Sequence, residues 1–390
     1  MMNNTWPILT PESLIPSPES QLPGLYVHIP FCKTKCPYCD FYSVTDTDSV
    51  DRWLGALKTE IGIYRELFPH FDSIYLGGGT PSLLDAPTFE RLMKILRSHW
   101  PGNPDEEVTL EANPDDITRE KLSHYRSMGV NRLSLGVQSF DDRELKFLRR
   151  RHTATWAKRA IEMVRSCGFA NFGIDLMYGL KGQTREKWLS TLVQAVKYDP
   201  SHLSCYQLTI ESGTPFGLLK AKGALTIPKE GVQRKFFFDT SLFLSDHGFI
   251  HYEISNFAKG QGCISHHNTK YWTHAPYLGI GPAAHSFLNG KRWWNYRSVD
   301  RYCAALHDGV APIEGFEILT EDQMKLESLY FGFRTAQGLA VLDLPGPEDR
   351  VSRVLEELIK ARLIMIRNGQ ITPTEKGFLV ADRIPLMFAV

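Results

Sequence analysis

The sequence predicts an α/β protein: a partial (β/α)6 barrel followed by a C-terminal winged-helix-like α+β lobe. Three observations carry this. Between residues 24 and 250, six short runs rich in β-branched and aromatic residues alternate with stretches of helical period, divided by Gly, Pro and Asp turns. Alternation at this spacing implies parallel strands with right-handed crossovers, and six units fall short of the eight that close a barrel. From residue 319 the order changes to two helical stretches and then short extended runs around Asn-Gly, a hairpin signal.

The elements follow in order. The strand runs are Leu25–Ile29, Ser73–Gly77, Glu107–Glu111, Arg132–Val137, Phe172–Met177 and Leu203–Thr209. Between the first two, DRWLGALKTEIGIYREL sets Leu54, Leu57, Ile61, Tyr64 and Leu67 on or near one helical face. FERLMKILRSHW, REKLSHYRSMG, AKRAIEMVRSCG and REKWLSTLVQAVKY repeat the pattern. Residues 1–23 are rich in Pro and Ser and read as a flexible lead-in. Residues 24–250 form the barrel, 251–318 a connecting region rich in Gly, His and aromatics, and 319–390 the final lobe. Such lobes bind DNA in some proteins and pack in more; a neutral charge balance favours packing.

Composition narrows the function classes. The 390 residues carry 44 Lys+Arg against 44 Asp+Glu, so no basic nucleic-acid-coating surface is indicated. No apolar run reaches the length of a membrane helix, and the N-terminus has no basic-then-apolar secretory pattern. Seven irregularly spaced cysteines argue for reduced thiols in the cytoplasm.

Three of those cysteines carry the chemistry. Cys32, Cys36 and Cys39 stand in CKTKCPYC, a C-x3-C-x2-C loop directly after the first strand. A loop can bring three thiolates to one iron–sulfur cube. Zinc competes for such thiols, but a structural zinc site is closed by four protein ligands and the next cysteine is Cys167. The segment resembles the radical S-adenosylmethionine (SAM) superfamily, whose hallmark is this spacing. The resemblance implies a radical-SAM barrel holding a [4Fe–4S] cluster on the three thiolates, with SAM on the fourth iron.

Further residues at the carboxyl ends of the strands fit that expectation. Gly77, Gly78, Gly79 and Thr80 follow the second strand, where missing Cβ atoms let backbone approach a ligand. Glu111 ends the third strand, Gln138 follows the fourth, and Asp175 lies within the fifth. Polar groups in apolar strands need partners, either neighbouring loops or one shared polar ligand. By resemblance, the glycine run holds the SAM amino group, while Glu111, Gln138 and Asp175 match ribose, carboxylate and adenosine contacts. Arg150 matches a contact to the SAM carboxylate, although related proteins show Leu-Gly-Arg where this chain has Leu148-Arg149-Arg150. Tyr26 and Tyr38 match adenine-side and sulfonium-side contacts, or pack in the core.

Within the superfamily, YVHIPFC, LGGGTPS, GVQSF and IDLMYGL resemble the oxygen-independent coproporphyrinogen III oxidase group. The chain departs from the oxidases in carrying Phe41 where they have a further cysteine, and in having only 25 residues before Tyr26. His267-Asn268-Thr269-Lys270-Tyr271-Trp272 fits H-N-x-x-Y-W, a signature of the heme chaperone (HemW) branch of the group. A loop histidine is a competent axial ligand for heme iron, and Tyr271 and Trp272 offer flat apolar faces to a porphyrin. His267 is the expected ligand, with His266, His285 and Cys263 as alternatives, or else a packing histidine. The resemblance implies a heme chaperone delivering heme to membrane respiratory proteins; the alternative is a decarboxylating coproporphyrinogen III oxidase. SAM cleavage is compatible with the fold, while coproporphyrinogen oxidase activity is not expected. A reductant protein or NADH for the cluster, a homodimer and a peripheral membrane contact are the partners to look for, and nucleic acid is not among them.

Overall fold

Alternation along the strands decides the architecture, as the computed structural model, which describes residues 21–388, makes plain. Most of the 1–23 segment lies outside the described residues. The first six strands are β1 (Gly24–Ile29), β2 (Ser73–Gly78), β3 (Glu107–Ala112), β4 (Arg132–Gln138), β5 (Asn171–Tyr178) and β6 (His202–Gln207). They pair in parallel in chain order. One alternate set of side chains is apolar: Leu25, Val27 and Ile29; Ile74 and Leu76; Val108 and Leu110; Leu133 and Leu135; Ile174 and Leu176; Leu203 and Cys205. These pack against the crossover helices; Trp53, Leu54, Leu57 and Ile61 of the helix Val50–Tyr64 belong to the same core. Each such side chain fully buried contributes about 1.5–3 kcal/mol.

The other alternate set is polar, aromatic or glycine apart from Met177, and it faces inward. A parallel sheet in an α/β protein is ordinarily apolar on both faces. Here Tyr75, Glu111, Ser134, Asp175, His202 and Ser204 line one internal cavity. The inner face is therefore a ligand chamber, not a packed core. Helix starts are set by side-chain caps: Asp85, Thr118, Asp141, Thr153 and Thr184 each accept a backbone N–H of the first turn.

Residues 251–318 extend the same sheet at both edges. β7 (Ile250–Glu253) and β8 (Asn256–Ala258) add to β6, with β8 antiparallel to it. β9 (Tyr277–Ile280) pairs in parallel with β1, and β10 (His285–Leu288), β11 (Lys291–Asn295) and β12 (Ile313–Ile318) continue antiparallel. The result is one 12-stranded sheet whose edges are β12 and β7, so it curls around the chamber without closing.

The C-terminal lobe has its own core. The helices Glu321–Gly332 and Glu348–Lys360 pack Leu329, Leu355 and Leu358 against Ile364 and Ile371 of a three-stranded antiparallel sheet. That sheet contains β13 (Leu339–Ala340), β14 (Ile364–Arg367) and β15 (Gln370–Pro373). Asn368-Gly369 turns β14 into β15 with φ of 50° and 76°, as the hairpin signal predicts. Among the described residues no helix is long and apolar enough to cross a membrane.

Candidate functional site

The chamber opens at the carboxyl ends of β1–β6, where the cysteine loop closes over it. Cys32, Cys36 and Cys39 line the same cavity, of about 470 Å³, as Gly78, Gly79, Thr80, Glu111, Gln138, Arg150, Asp175 and Tyr38. Eleven of the expected site residues are thus brought together. Tyr26 is not among the lining residues; it sits deeper, its hydroxyl 3.1 Å from His28 Nδ1 and its ring 6.1 Å from that of Tyr75.

The glycine run is shaped by the cysteine loop. Gly79 donates its N–H to Ile29 O at 2.8 Å, and a Cβ there would stand 2.7 Å from Phe31 O. Gly78 holds φ at +105°, and a Cβ on it would meet the His28 ring at 2.6 Å. The chain can pass this close beneath the first cysteine only as glycine.

Hydrogen bonds tie the cysteines to the strand ends in a ring. Cys32 Sγ lies 3.4 Å from Thr80 Oγ1, which accepts from Asn113 Nδ2 at 3.2 Å. Asn113 Oδ1 accepts from Arg150, whose Nη1 approaches Cys36 Sγ at 3.5 Å and whose Nη2 donates to Gly136 O at 2.8 Å. Arg150 Nε is buried and unpartnered among the described residues.

Glu111 accepts from Tyr75 OH at 2.8 Å and from Gly78 N at 3.2 Å. Burial, reinforced by nearby Asp175, pushes its carboxyl up to about 7. Asp175 accepts from Ser134 Oγ at 3.0 Å, and burial raises its carboxyl too. Two acids sharing one dry wall suit a ligand bearing hydroxyl or ammonium donors. Gln138 completes the wall at φ +67°, where the β4–β5 register shifts; left-handed backbone at a non-glycine residue beside a cavity is a mark of a working site.

The donor set fits a cube with SAM. Among the described residues no three His, Cys, Asp or Glu side chains gather as a single-ion site. Three thiols set around a cavity wall suit a cube, which takes one thiolate per iron. The carboxylates, glycine amides and cation beyond them suit a zwitterionic nucleoside.

The sequence reading missed Asn113, Arg132, Ser134, His202, Ser204 and Tyr206, all of which line the chamber. Their signal was present as polar residues at alternate positions of strand runs. Asn113 follows Glu111-Ala112 directly at a strand end.

His267 needs a correction. It does not stand on an open loop: it lies in the first turn of the helix His266–Trp272 and is 1% exposed. Ser265 caps that helix by accepting from Asn268 N, and Glu107 accepts from His266 N and His267 N at 3.1 Å each. His267 Nδ1 is 3.2 Å from Ser73 Oγ and Nε2 is 3.0 Å from Tyr271 OH. Both ring nitrogens are engaged, and burial lowers the imidazole to about 3. The ring packs beneath the chamber, 5.2 Å from Tyr75. Trp272 packs on Phe331 of the C-terminal lobe, and Cys263 is half-buried in a 3-10 turn. His266 and His285 are exposed.

Comparisons with known proteins agree with this geometry. The profile of the radical SAM superfamily matches residues 26–195. The heme chaperone HemW of Mycobacterium tuberculosis is 34% identical over 368 residues, covering 93% of this chain and 93% of that protein. HemW of Bacillus subtilis is 34% identical over 92% of this chain and 97% of its own length. Among solved structures, the coproporphyrinogen III oxidase HemN of Escherichia coli, a radical SAM enzyme, superposes with a TM-score of 0.79 at 25% identity, covering 97% of this chain and 92% of that one.

Proposed function

Since the chain belongs to the heme chaperone HemW family and carries a radical SAM domain, we propose that it is a cytoplasmic heme chaperone that passes heme to membrane respiratory proteins. The observation that supports this best is similarity to HemW proteins along nearly the whole length of both chains.

In this reading Cys32, Cys36 and Cys39 hold a [4Fe–4S] cluster. When bound, the cluster and SAM supply one-electron chemistry at the sulfonium. The chain's own residues bind and orient. Glu111 and Asp175 accept hydrogen bonds from the nucleoside, the Gly78–Gly79 backbone gives it room, and Arg150 fixes Cys36. Phe41, 69% exposed on the cavity wall, stands where the oxidases of the group carry a further cysteine. A reductant protein or NADH would feed the cluster, and homodimer formation and a peripheral membrane contact would accompany transfer.

A second reading, coproporphyrinogen III oxidation, is favoured by the fold shared with HemN across 97% of the chain. One experiment separates them. The protein is reconstituted with iron and sulfide without oxygen, titrated with heme while the Soret band is followed, and assayed in parallel for coproporphyrinogen III decarboxylation. Stoichiometric heme uptake, transfer to an apo respiratory protein and no vinyl product are expected. Vinyl product without heme uptake would move the chain to the oxidases.

A further inference from the structure

Each of the three thiols has a donor beside it. Cys32 has Thr80 Oγ1 and Cys36 has Arg150 Nη1, both within the ring of hydrogen bonds at the strand ends. Cys39 stands outside that ring, half-buried, and its donor comes from the loop itself. Burial raises the Cys39 thiol, and a hydrogen bond from the Phe41 backbone N–H works against that. This N–H belongs to the peptide joining Asp40 to Phe41. The carbonyl of the same peptide, Asp40 O, accepts from Arg297 Nη2. A trans peptide is planar, with its N–H and C=O pointing to opposite sides. One guanidinium therefore holds one side of the unit while the other side addresses the sulfur.

The rest of this arm is fastened by other groups. Lys35 Nζ donates to Phe41 O at 3.1 Å, His28 Nε2 to Tyr42 O at 2.9 Å, and Cys32 N to Val44 O at 2.9 Å. Val299 N donates to Tyr42 OH at 2.8 Å. Arg297 also pairs with the Asp40 carboxylate at 3.6 Å, but the two side chains are 55% and 57% exposed, so the ion pair contributes little to stability. What the contact does is fix and polarise the peptide. A cation on the carbonyl oxygen draws electron density from the amide nitrogen, and hydrogen bonds linked through one unit strengthen each other. An N–H directed at a cluster sulfur stabilises the more negative, reduced state and so raises the reduction potential.

We propose that Arg297 is a positioning residue for the cluster: acting through the Asp40–Phe41 peptide, it strengthens the hydrogen bond to Cys39 Sγ and raises the potential at which the cluster accepts an electron. This rests on the reading of the three thiols as cluster ligands and is independent of heme delivery. Arg297 lies between β11 and the helix Val299–His307, so the antiparallel extension of the sheet has a direct contact with the cysteine loop.

The test compares reconstituted full-length protein, wild type, Arg297→Gln, Arg297→Lys and Asp40→Asn. The cluster is titrated potentiometrically, followed by electron paramagnetic resonance, with iron and sulfide analysis alongside. Both side chains are exposed, so none of these changes threatens folding. Gln can still donate to Asp40 O but carries no charge. We expect Arg297→Gln to disfavour reduction about three- to tenfold, a negative shift of up to about 59 mV for one electron, at unchanged iron and sulfide content. Arg297→Lys should recover most of that shift. Asp40→Asn, which removes the carboxylate but keeps the peptide, should move the potential the opposite way, whereas a contact that merely steadies the loop would move both variants alike. An unchanged potential in Arg297→Gln, or a fall in Asp40→Asn matching it, overturns the assignment and leaves the cluster reading standing. Failure of the wild type to take up about four irons per chain overturns both.

Discussion

Arg150→Lys tests whether the ring of hydrogen bonds is what prepares the cavity for SAM. The guanidinium serves three acceptors at once: Cys36 Sγ, Asn113 Oδ1 and Gly136 O. Lysine keeps the charge but has one nitrogen, so it cannot span acceptors that a planar fork reaches from two. At least one charge-assisted bond is lost, each of which contributes about 1.5–3 kcal/mol when the partner is buried. Asn113 is then free to swing from Thr80, loosening the contact to Cys32. The expected weakening of SAM binding is about 10- to 100-fold. The three thiols are untouched, so iron and sulfide content after reconstitution should stay near wild type. Calorimetric titration with SAM, beside iron and sulfide analysis, reads the two separately. A lysine variant that binds SAM within a factor of about two of wild type would refute the reasoning, because the charge alone would then suffice.

Four other outcomes follow from the same structure. Glu60 is buried with Tyr302, Asn295 and Gly281 N donating to it, and burial raises its carboxyl from 4.5 to about 7. Its contribution is present below the unfolded value and is lost as pH rises through 7, by about 3 kcal/mol at 1.36 kcal/mol per unit. Buried neutral histidines such as His28 and His251, lowered to about 4, act oppositely below pH 6.5, so the difference between Glu60→Gln and wild type in urea unfolding isolates the effect; parallel curves would mean the three donors keep Glu60 charged. Gly79→Ala drives a methyl into Phe31 O and Ile29 O, so cluster content after reconstitution should fall and stability should drop by about 1–3 kcal/mol. His267→Ala leaves the hydroxyls of Ser73 and Tyr271 unpaired beside a void, and urea unfolding should show a loss of about 2–4 kcal/mol. Glu107→Ala removes the acceptor from the start of the signature helix and strands buried Arg132, so amide exchange over 265–272 should accelerate and unfolding should ease by about 3–5 kcal/mol.

The six parallel strands were legible because their apolar positions alternate and each is followed by a turn and a helical stretch. The cysteine loop and the glycine run were legible because chemistry restricts both to few residue types. The antiparallel extension was not. β9 is four residues long and finds its partner in β1, some 250 positions earlier, a pairing no local pattern announces. Yet β10 and β11 turn on Asn289-Gly290, with φ of 50° and 75°, the same signal that identified the C-terminal hairpin. The signature helix was hidden differently. Ser265 is a good cap, but the carboxylate that completes the cap is Glu107, brought from another strand by the fold.

That misplacement of His267 has a physical origin in β3. Its inward positions carry Glu107, Thr109 and Glu111, three polar side chains on a strand whose outward residues are apolar. Read locally, these are a half-exposed strand. In the folded chain they span the chamber from floor to mouth: Glu107 fastens the signature helix below, and Glu111 faces the cavity above, joined to it through Tyr75, on which His267 packs. Glu107 is taken up by donors of the signature helix, whereas Glu111, held by Tyr75 and Gly78, still presents acceptor capacity to the cavity. The signature segment is thus part of the chamber's wall, and Asn268 from it lines the cavity directly.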